Sequence, residues 1–579
     1  MTIRQLKASL PTDRVGLKKH SVGEGAKDAL KQLLRSTKTE LPKEFLKSAE
    51  RVLFLKNSRT GDTVCLPCPL REQEMVAALK ALEGCAVAAI TDVRGARCER
   101  TIRVNLERVT SFLMSAYITN IDGLDKCNPK TKERIPDTDL NEAQSNLYRR
   151  LSAGLYETKN RGEYYHIHGS LEATTTLEMI GLPAFLPGLT GYHDCIKTIE
   201  KAVRQFSGAE LERLNQKYRQ AGVSVLTNEM FQKTAHGQEM ASLPLFTVKP
   251  LGVTTPPVPF AESTNGPSQC LQGLRVIELC RVIAGPAIGR SLAAHGASVL
   301  KITSSQLPDV PIFQLDVNTG KHTASLHLKD PHDVAIFESL LETADVIIDG
   351  YRPGVISNLG YRPEDLAAKA ARRGKGIVYV AEDCFGGTEV GAEWAGRPGW
   401  QQIADCVTGV AWEQGRFMGL NEPVVPPFPM SDYGTGCVGT IAALAGIYRR
   451  ATQGGSWICR TSLSQYNIFL LSLGTYPTDV KDQLRRDHDP RFFELRHNDS
   501  VDEVSQRALA SMKQLHPTLF SSHNMQSAYS EAYGGLVTWT KEPLQVDGIK
   551  IGHVRPTRPN GYDRPTWDDW EINEKLLGA

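Results

Sequence analysis

No stretch of this 579-residue chain approaches the roughly 18 uninterrupted apolar residues of a membrane-crossing helix, so a membrane partner is excluded. A surplus of one charge is missing too. Lys and Arg number 67 against 65 Asp and Glu, a net charge of +2, which leaves no electrostatic footprint for nucleic acid. The 12 cysteines lack the close, paired spacing of a disulfide framework, and free thiols in a reducing compartment are expected. Cys65-Leu-Pro-Cys68 has metal-ligand spacing, but Cys85 falls in an apolar helix pattern and no second close pair follows; no metal is expected. No secretory signal opens the sequence. Residues 1–43, with Lys18-Lys19 and Lys27 to Lys31, read as a basic, solvated extension. The cytoplasm is the expected compartment, with a targeting segment for the mitochondrial matrix as the alternative.

A hydrophobic share of 41% and a charged share of 23% describe a globular protein, and the length calls for two to four domains. The clearest boundary is Val248 to Gln269, where Pro250, Pro256, Pro257, Pro259 and Pro267 mix with Gly, Ser, Thr and Asn. Such a composition reads as an extended connection. Behind it, β and α signals alternate. Leu274–Leu279, Ser298–Ile302, Asp345–Asp349 and Gly376–Val380 read as buried strands. Pro286–His295, Pro331–Glu342 and Pro363–Arg372 read as helices between them. This alternation predicts an α/β fold with a Rossmann-like parallel sheet, whose ligands bind beyond the C-terminal strand ends. Arg281-Val-Ile-Ala-Gly-Pro286 falls at that place but lacks the G-x-G-x-x-G spacing, which disfavours a dinucleotide.

Asp432 stands in Pro-Met-Ser-Asp-Tyr-Gly-Thr-Gly-Cys, just before the apolar run Val438–Tyr448. Free N–H groups and the dipole of a starting helix favour an anion there, and Gly434 and Gly436 would let a ligand approach. Asp432 is therefore a candidate nucleophile, with a plain helix cap as the competing role. The front half carries an echo of this region. With an offset of 357 residues, Ala88, Ile90, Arg103, Leu106, Phe112 and Leu113 meet identical residues in the back half, and Asp432 meets Met75. That pattern suggests a duplication whose first copy has lost the carboxylate.

Residues 271–470 resemble the family III CoA-transferases, which include formyl-CoA and carnitine CoA-transferases and α-methylacyl-CoA racemases. The resemblance rests on Arg281–Ala287 with Leu292–Lys301, on Asn318-Thr-Gly-Lys to Lys329, on Asp345–Val355, on Phe385-Gly386 and on Ala442–Leu463. Asn146–Tyr148, Tyr164–His168, Gly181–Pro183 and Gln220–Leu226 resemble the family's small domain, here placed N-terminal to the large one. His166-Ile-His168 reads as alternate residues of an edge strand, not a metal site. The implied organisation is a basic extension (1–43), a degenerate partial copy of the large domain (44–145), a small α+β domain (146–247), and a Pro-rich linker (248–270). A large domain carrying Asp432 (271–475) and a C-terminal wrapping segment (476–579) complete it.

The resemblance implies an acyl-CoA substrate, a carboxylic acid acceptor and an acyl intermediate on Asp432, with N–H groups following it as the oxyanion site. It carries CoA contacts to Val282, Ile283, Ala284, Leu326, Lys329 and Tyr351. Lys321 and Lys329 would meet phosphates as point charges, or lie on the solvated surface. Thr303, Ser304 and Asn358 depart from the family's pattern at its CoA contacts. Trp400 stands where the racemases place a histidine; indole cannot exchange protons with a substrate carbon, so it walls an acyl pocket or packs in the core. The alternatives to CoA transfer are a racemase or isomerase, an acyltransferase to an alcohol or amine, and an inactive CoA-binding scaffold. A fused tandem leaves both a monomer and a homodimer open.

Overall fold

The computed structural model describes residues 20–56, 62–95, 97–252, 254–260, 269–568, 570 and 576. The first 19 residues of the basic extension and residues 261–268 of the connection lie outside these. The front half supplies strands β1 (Val52–Leu55), β2 (Ile102–Asn105), β3 (Asn120–Ile121), β4 (Gly154–Glu157), β5 (Tyr164–Ile167), β6 (Val223–Ser224) and β7 (Thr247–Leu251). The back half supplies β8 (Arg275–Leu279), β9 (Ser298–Thr303), β10 (His322–Ser325), β11 (Val346–Asp349), β12 (Val378–Asp383) and β13 (Ser456–Ser462). β14 (Met525–Ser530), β15 (Gly535–Thr540) and β16 (Leu544–Val546) follow.

The main sheet runs in the order β10-β9-β8-β11-β12-β13-β7. Its six back-half strands are parallel, and β7 closes one edge antiparallel to β13. The connection expected from the prolines therefore begins as a strand. Pro250 is tolerated there because β7 is an edge, where a missing N–H costs no interior ladder bond. From β8 the chain runs outward through β9 and β10, then returns to lay β11 on the other side of β8. The two directions part between β8 and β11, and that switch point opens a crevice at the strands' C-terminal ends.

The front half repeats part of this plan. Glu72–Val93, β2 and Leu106–Leu113 follow one another as Met430–Gln453, β13 and Leu463–Ser472 do. Asn105 caps the Leu106 helix by accepting from the Arg108 N–H, and Ser462 caps the Leu463 helix by accepting from the Gln465 N–H, at equivalent positions. A small sheet, β1-β2-β16, has one parallel and one antiparallel pairing, as β12-β13-β7 has. Residues 22–36, expected as solvated extension, form a helix instead. It buries Val22, Ala26, Ala29, Leu30 and Leu33 at the i, i+3, i+4 spacing of a core-facing stripe.

The Met430–Gln453 helix is buried for almost all of its length. Its glycines do not admit a ligand, as the sequence suggested; they admit neighbouring elements. A Cβ on Gly434 would stand 2.0 Å from the Tyr466 ring, one on Gly436 2.6 Å from Ala287 Cβ, and one on Gly439 2.4 Å from Ile288 Cδ1. The helix is thereby pressed against Ala284–Ala294, the helix that follows β8. Gly436→Ala should destabilise the protein by about 1–3 kcal/mol through overpacking. A denaturant titration should show a lower midpoint with an unchanged slope.

Candidate active site

Asp432 is the third residue of the buried helix, whose first turn begins after Pro429. No side chain caps this end, so the plain-cap reading fails. Two cavities meet at the carboxyl. A groove of about 840 Å³ runs along the switch point, and a smaller cavity of about 80 Å³ lies on the other side. Asp432, Val282, Ile283, Trp400, Ser170 and Leu171 line both. Val282 holds a φ of 65°, a left-handed backbone costly for a β-branched residue, as the chain turns from β8 into its helix. The small cavity is walled by Tyr117, Val310, Phe313 and Val501, with Gln144, Arg150, His168, Gln401 and Gln402 among its polar lining.

The sequence-derived residues divide. Val282, Ile283, Ala284, Lys329, Tyr351 and Trp400 line the groove with Asp432. Lys321 and Leu326 do not. Lys321 is fully buried, donating to Glu278 at 2.6 Å and to the Pro286 carbonyl at 2.7 Å, so it cannot serve as a phosphate contact. Leu326 belongs to the core packed with Phe337 and Leu341. Trp400 donates its indole N–H to Ser170 Oγ at 2.9 Å, and its ring stacks on His168 with centroids 5.7 Å apart. It is a wall between the cavities. His166 and His168 lie on and just beyond β5, the middle strand of β4-β5-β6 rather than an edge.

The electrostatics also differ from expectation. Burial, followed by the Asp405 charge, pushes the Asp432 carboxyl well above the usual carboxylate range; the helix start does not outweigh them. Asp405 is itself raised to about 6 by burial, while Ser431, Asn467 and Gln401 donate to it and partly offset this. The N–H groups that follow Asp432 are not free for an oxyanion: that of Tyr433 bonds the Pro429 carbonyl at 3.2 Å. The helix's first three N–H groups, at Met430, Ser431 and Asp432, have no intrahelical acceptor and are the better donors.

Sequence reasoning found Lys329 but missed three arginines of the groove. Arg219, Arg281, Arg352 and Lys329 all line it, and none has an ion pair among the described residues. Burial lowers the Arg352 pKa, and the charges of Arg281 and Arg219 lower it further. Arg281 and Arg352 sit inside the matched motifs, but Arg219 comes from the front half and only folding brings it here. Asn358 lines the same groove, whose positive charge comes from arginines at other positions. In the front copy, Met75 is buried in the helix equivalent to that of Asp432. Nearby Glu72 is closed off by the Tyr466 hydroxyl at 2.5 Å, and burial pushes it up to about 8.

CoA-transferase family III matches residues 271–490. The acetyl-coenzyme A transferase nodX of Hypoxylon pulicicidum is 31% identical over 542 residues, covering 91% of this chain and 90% of that protein. An acyl-CoA transferase of Gibberella moniliformis is 31% identical over 426 residues, 73% of this chain and 74% of the relative. The succinyl-CoA:glutarate CoA-transferase of Mus musculus shares 31% identity over 196 residues, 32% of this chain and 43% of its own. Among solved structures, Rv3272 of Mycobacterium tuberculosis aligns over 54% of this chain and 99% of its own, with 18% identity and a TM-score of 0.40. The chain belongs to the family III CoA-transferases and is a CoA-transferase enzyme. Among the described residues, no helix is long and apolar enough to cross a membrane.

Two outcomes follow from the site's charges. A nucleophilic Asp432 would attack only when ionised, and activity should then rise with pH through its raised pKa. Asp405→Asn removes the like charge, lets Asp432 ionise more easily, and should move the acid limb of the pH–rate profile to lower pH. Arg352→Ala should weaken CoA binding about tenfold, the worth of one charge-assisted contact. Calorimetry at rising ionic strength should show that difference shrinking.

Proposed function

We propose that this enzyme moves CoA from an acyl-CoA to a carboxylic acid through a covalent intermediate on Asp432. The observation that carries the reading is the position of Asp432 where a cation-ended groove meets a small, largely apolar cavity. The groove suits the phosphates and pantetheine arm of CoA, and Tyr351, Val282 and Ala284 line its course. The cavity beyond Asp432 suits the acyl group. The carboxylate attacks the thioester carbonyl; the C–S bond breaks and a mixed anhydride forms. CoA thiolate then attacks the aspartyl carbonyl, releases the first acid and leaves an aspartyl-CoA thioester. The incoming carboxylate repeats the sequence in reverse. The relatives' names as acetyl-CoA and acyl-CoA transferases agree with this reaction class.

The lining from residues 141–172 and 219–221 supports the small-domain role proposed for the front half, because it completes a site whose nucleophile lies in the back half. One observation favours a second reading, α-proton exchange. His168 faces the same small cavity as Asp432, and burial holds it neutral, well below the usual imidazole range. The readings part in heavy water. Asp432→Ala should lose turnover by several orders of magnitude and form no acyl adduct, while free CoA affinity stays within a few-fold. Borohydride trapping with peptide mass analysis should find the adduct at Asp432 in the native protein. Deuterium entering the acyl α-carbon without an adduct would favour the racemase.

A further inference from the structure

Glu382, on the last turn of β12 into the crevice, is a residue for which the fold itself has no use. It is 8% exposed and lines the CoA groove. Among the described residues its carboxyl has neither a hydrogen-bond donor nor an ion pair, whereas neighbouring Asp383 accepts the N–H groups of Phe385 and Gly386 at 2.9 and 2.6 Å. Its Oε2 reaches across the ends of β8 and β11. A Cβ added at Gly285 or Gly350 would lie 3.6 or 3.4 Å from it, in ordinary contact, and would collide instead with Cys280 Sγ at 2.7 or 2.9 Å. Glu382 is thus a buried residue whose unpartnered carboxyl opens on the groove, and a partner for it is to be sought there.

The groups that face it decide its form. Asp383 adjoins it on β12, Asp349 ends β11, Asp432 faces it from the buried helix, and the Cys280 thiol lies beside it from the end of β8. Arg281 does not reach this cluster's hydrogen bonds; it donates to the Pro308 carbonyl at 3.0 Å and lies over the Tyr351 ring. Burial, and then the charges of Asp383, Asp432 and Asp349, push the Glu382 carboxyl well above the usual carboxylate range and so favour its protonated form. A protonated carboxyl has one O–H to give and faces a ligand rich in carbonyl oxygens.

We infer that Glu382 is a further catalytic residue, a neutral carboxylic acid whose O–H hydrogen-bonds the thioester carbonyl oxygen of the acyl-CoA. As the Asp432 oxygen forms its bond to the carbonyl carbon, negative charge gathers on that oxygen. The Glu382 hydrogen bond strengthens without giving up its proton, and the charge leaves with the CoA thiolate when the C–S bond breaks. An uncharged Glu382 adds no negative charge beside Asp432. The inference rests on the acyl transfer proposed above.

The test is single-turnover acylation with the acyl-CoA that labels the native enzyme fastest, acetyl-CoA being tried first. Glu382→Gln keeps a neutral donor and should acylate within about threefold of the native rate. Glu382→Met fills the space without a donor and should be slower by about 10²-fold. Affinity for free CoA, which has no thioester, should be unchanged in both. Difference infrared spectra at neutral pH should show a protonated-carboxyl band in the native enzyme that Glu382→Gln removes. A Gln variant as slow as the Met variant, a Met variant at the native rate, a parallel loss of free-CoA affinity, or no such band would each overturn the role. If Glu382→Met does not fold, the Gln rate and the infrared band still decide. Failure of the native enzyme to acylate Asp432 would instead overturn the reaction itself, and Glu382's part with it.

Discussion

The architecture turns on the close approach of two helices at the switch point of the main sheet. Gly436 and Gly439 let Met430–Gln453 lie against Ala287 and Ile288 with no side chain between. That contact fixes the start of the buried helix over the ends of β8 and β11, where a doubly wound sheet opens its crevice. Asp432, two residues into that helix, then faces a groove and a cavity at once. Overlarge side chains at the contact would lift the carboxyl away from the groove as well as weaken the core.

Both signs of charge line the groove. Arginines from the front half, the end of β8 and the loop after β11 gather at one end without acidic partners. The carboxyl groups of Glu382, Asp383 and Asp432 line the groove as well; Asp383 is raised to about 6, as is Asp349 at the end of β11, and Glu382 and Asp432 are raised well above the usual carboxylate range. Burial is the first cause in each case. So many neighbouring carboxyls disfavour one another's ionisation. In the proposed reaction an anionic ligand end would meet the cations, while its carbonyl end would meet groups able to donate a hydrogen bond or attack. Trp400, tied to Ser170 and stacked on His168, separates the two chambers using residues from both halves.

Much of this was legible in the sequence. The strands of the back half announce themselves as short apolar runs bounded by turn residues, and their predicted limits fall within a few residues of those observed. Asp432 was legible because proline, glycines and an apolar run surround it. What was hidden depends on partners distant in the chain. Lys321 in a motif reads the same whether it faces a phosphate or, as here, the buried Glu278. Gly434 and Gly436 read as room for a ligand, but Tyr466 and Ala287 fill that room. Pro250 masked an edge strand, and nothing local to Arg219 foretells a groove built largely from residues after position 280.

The central claim is that Asp432 is covalently part of the exchange. In that chemistry each turnover hands one oxygen of the acceptor acid to the side chain that carried CoA. Turnover with a heavy-oxygen-labelled carboxylic acid, followed by digestion and mass analysis, tests this directly. The account predicts that the peptide containing Asp432 gains the label, with fragmentation locating it on that carboxyl. Efficient turnover that leaves the peptide unlabelled would contradict the account.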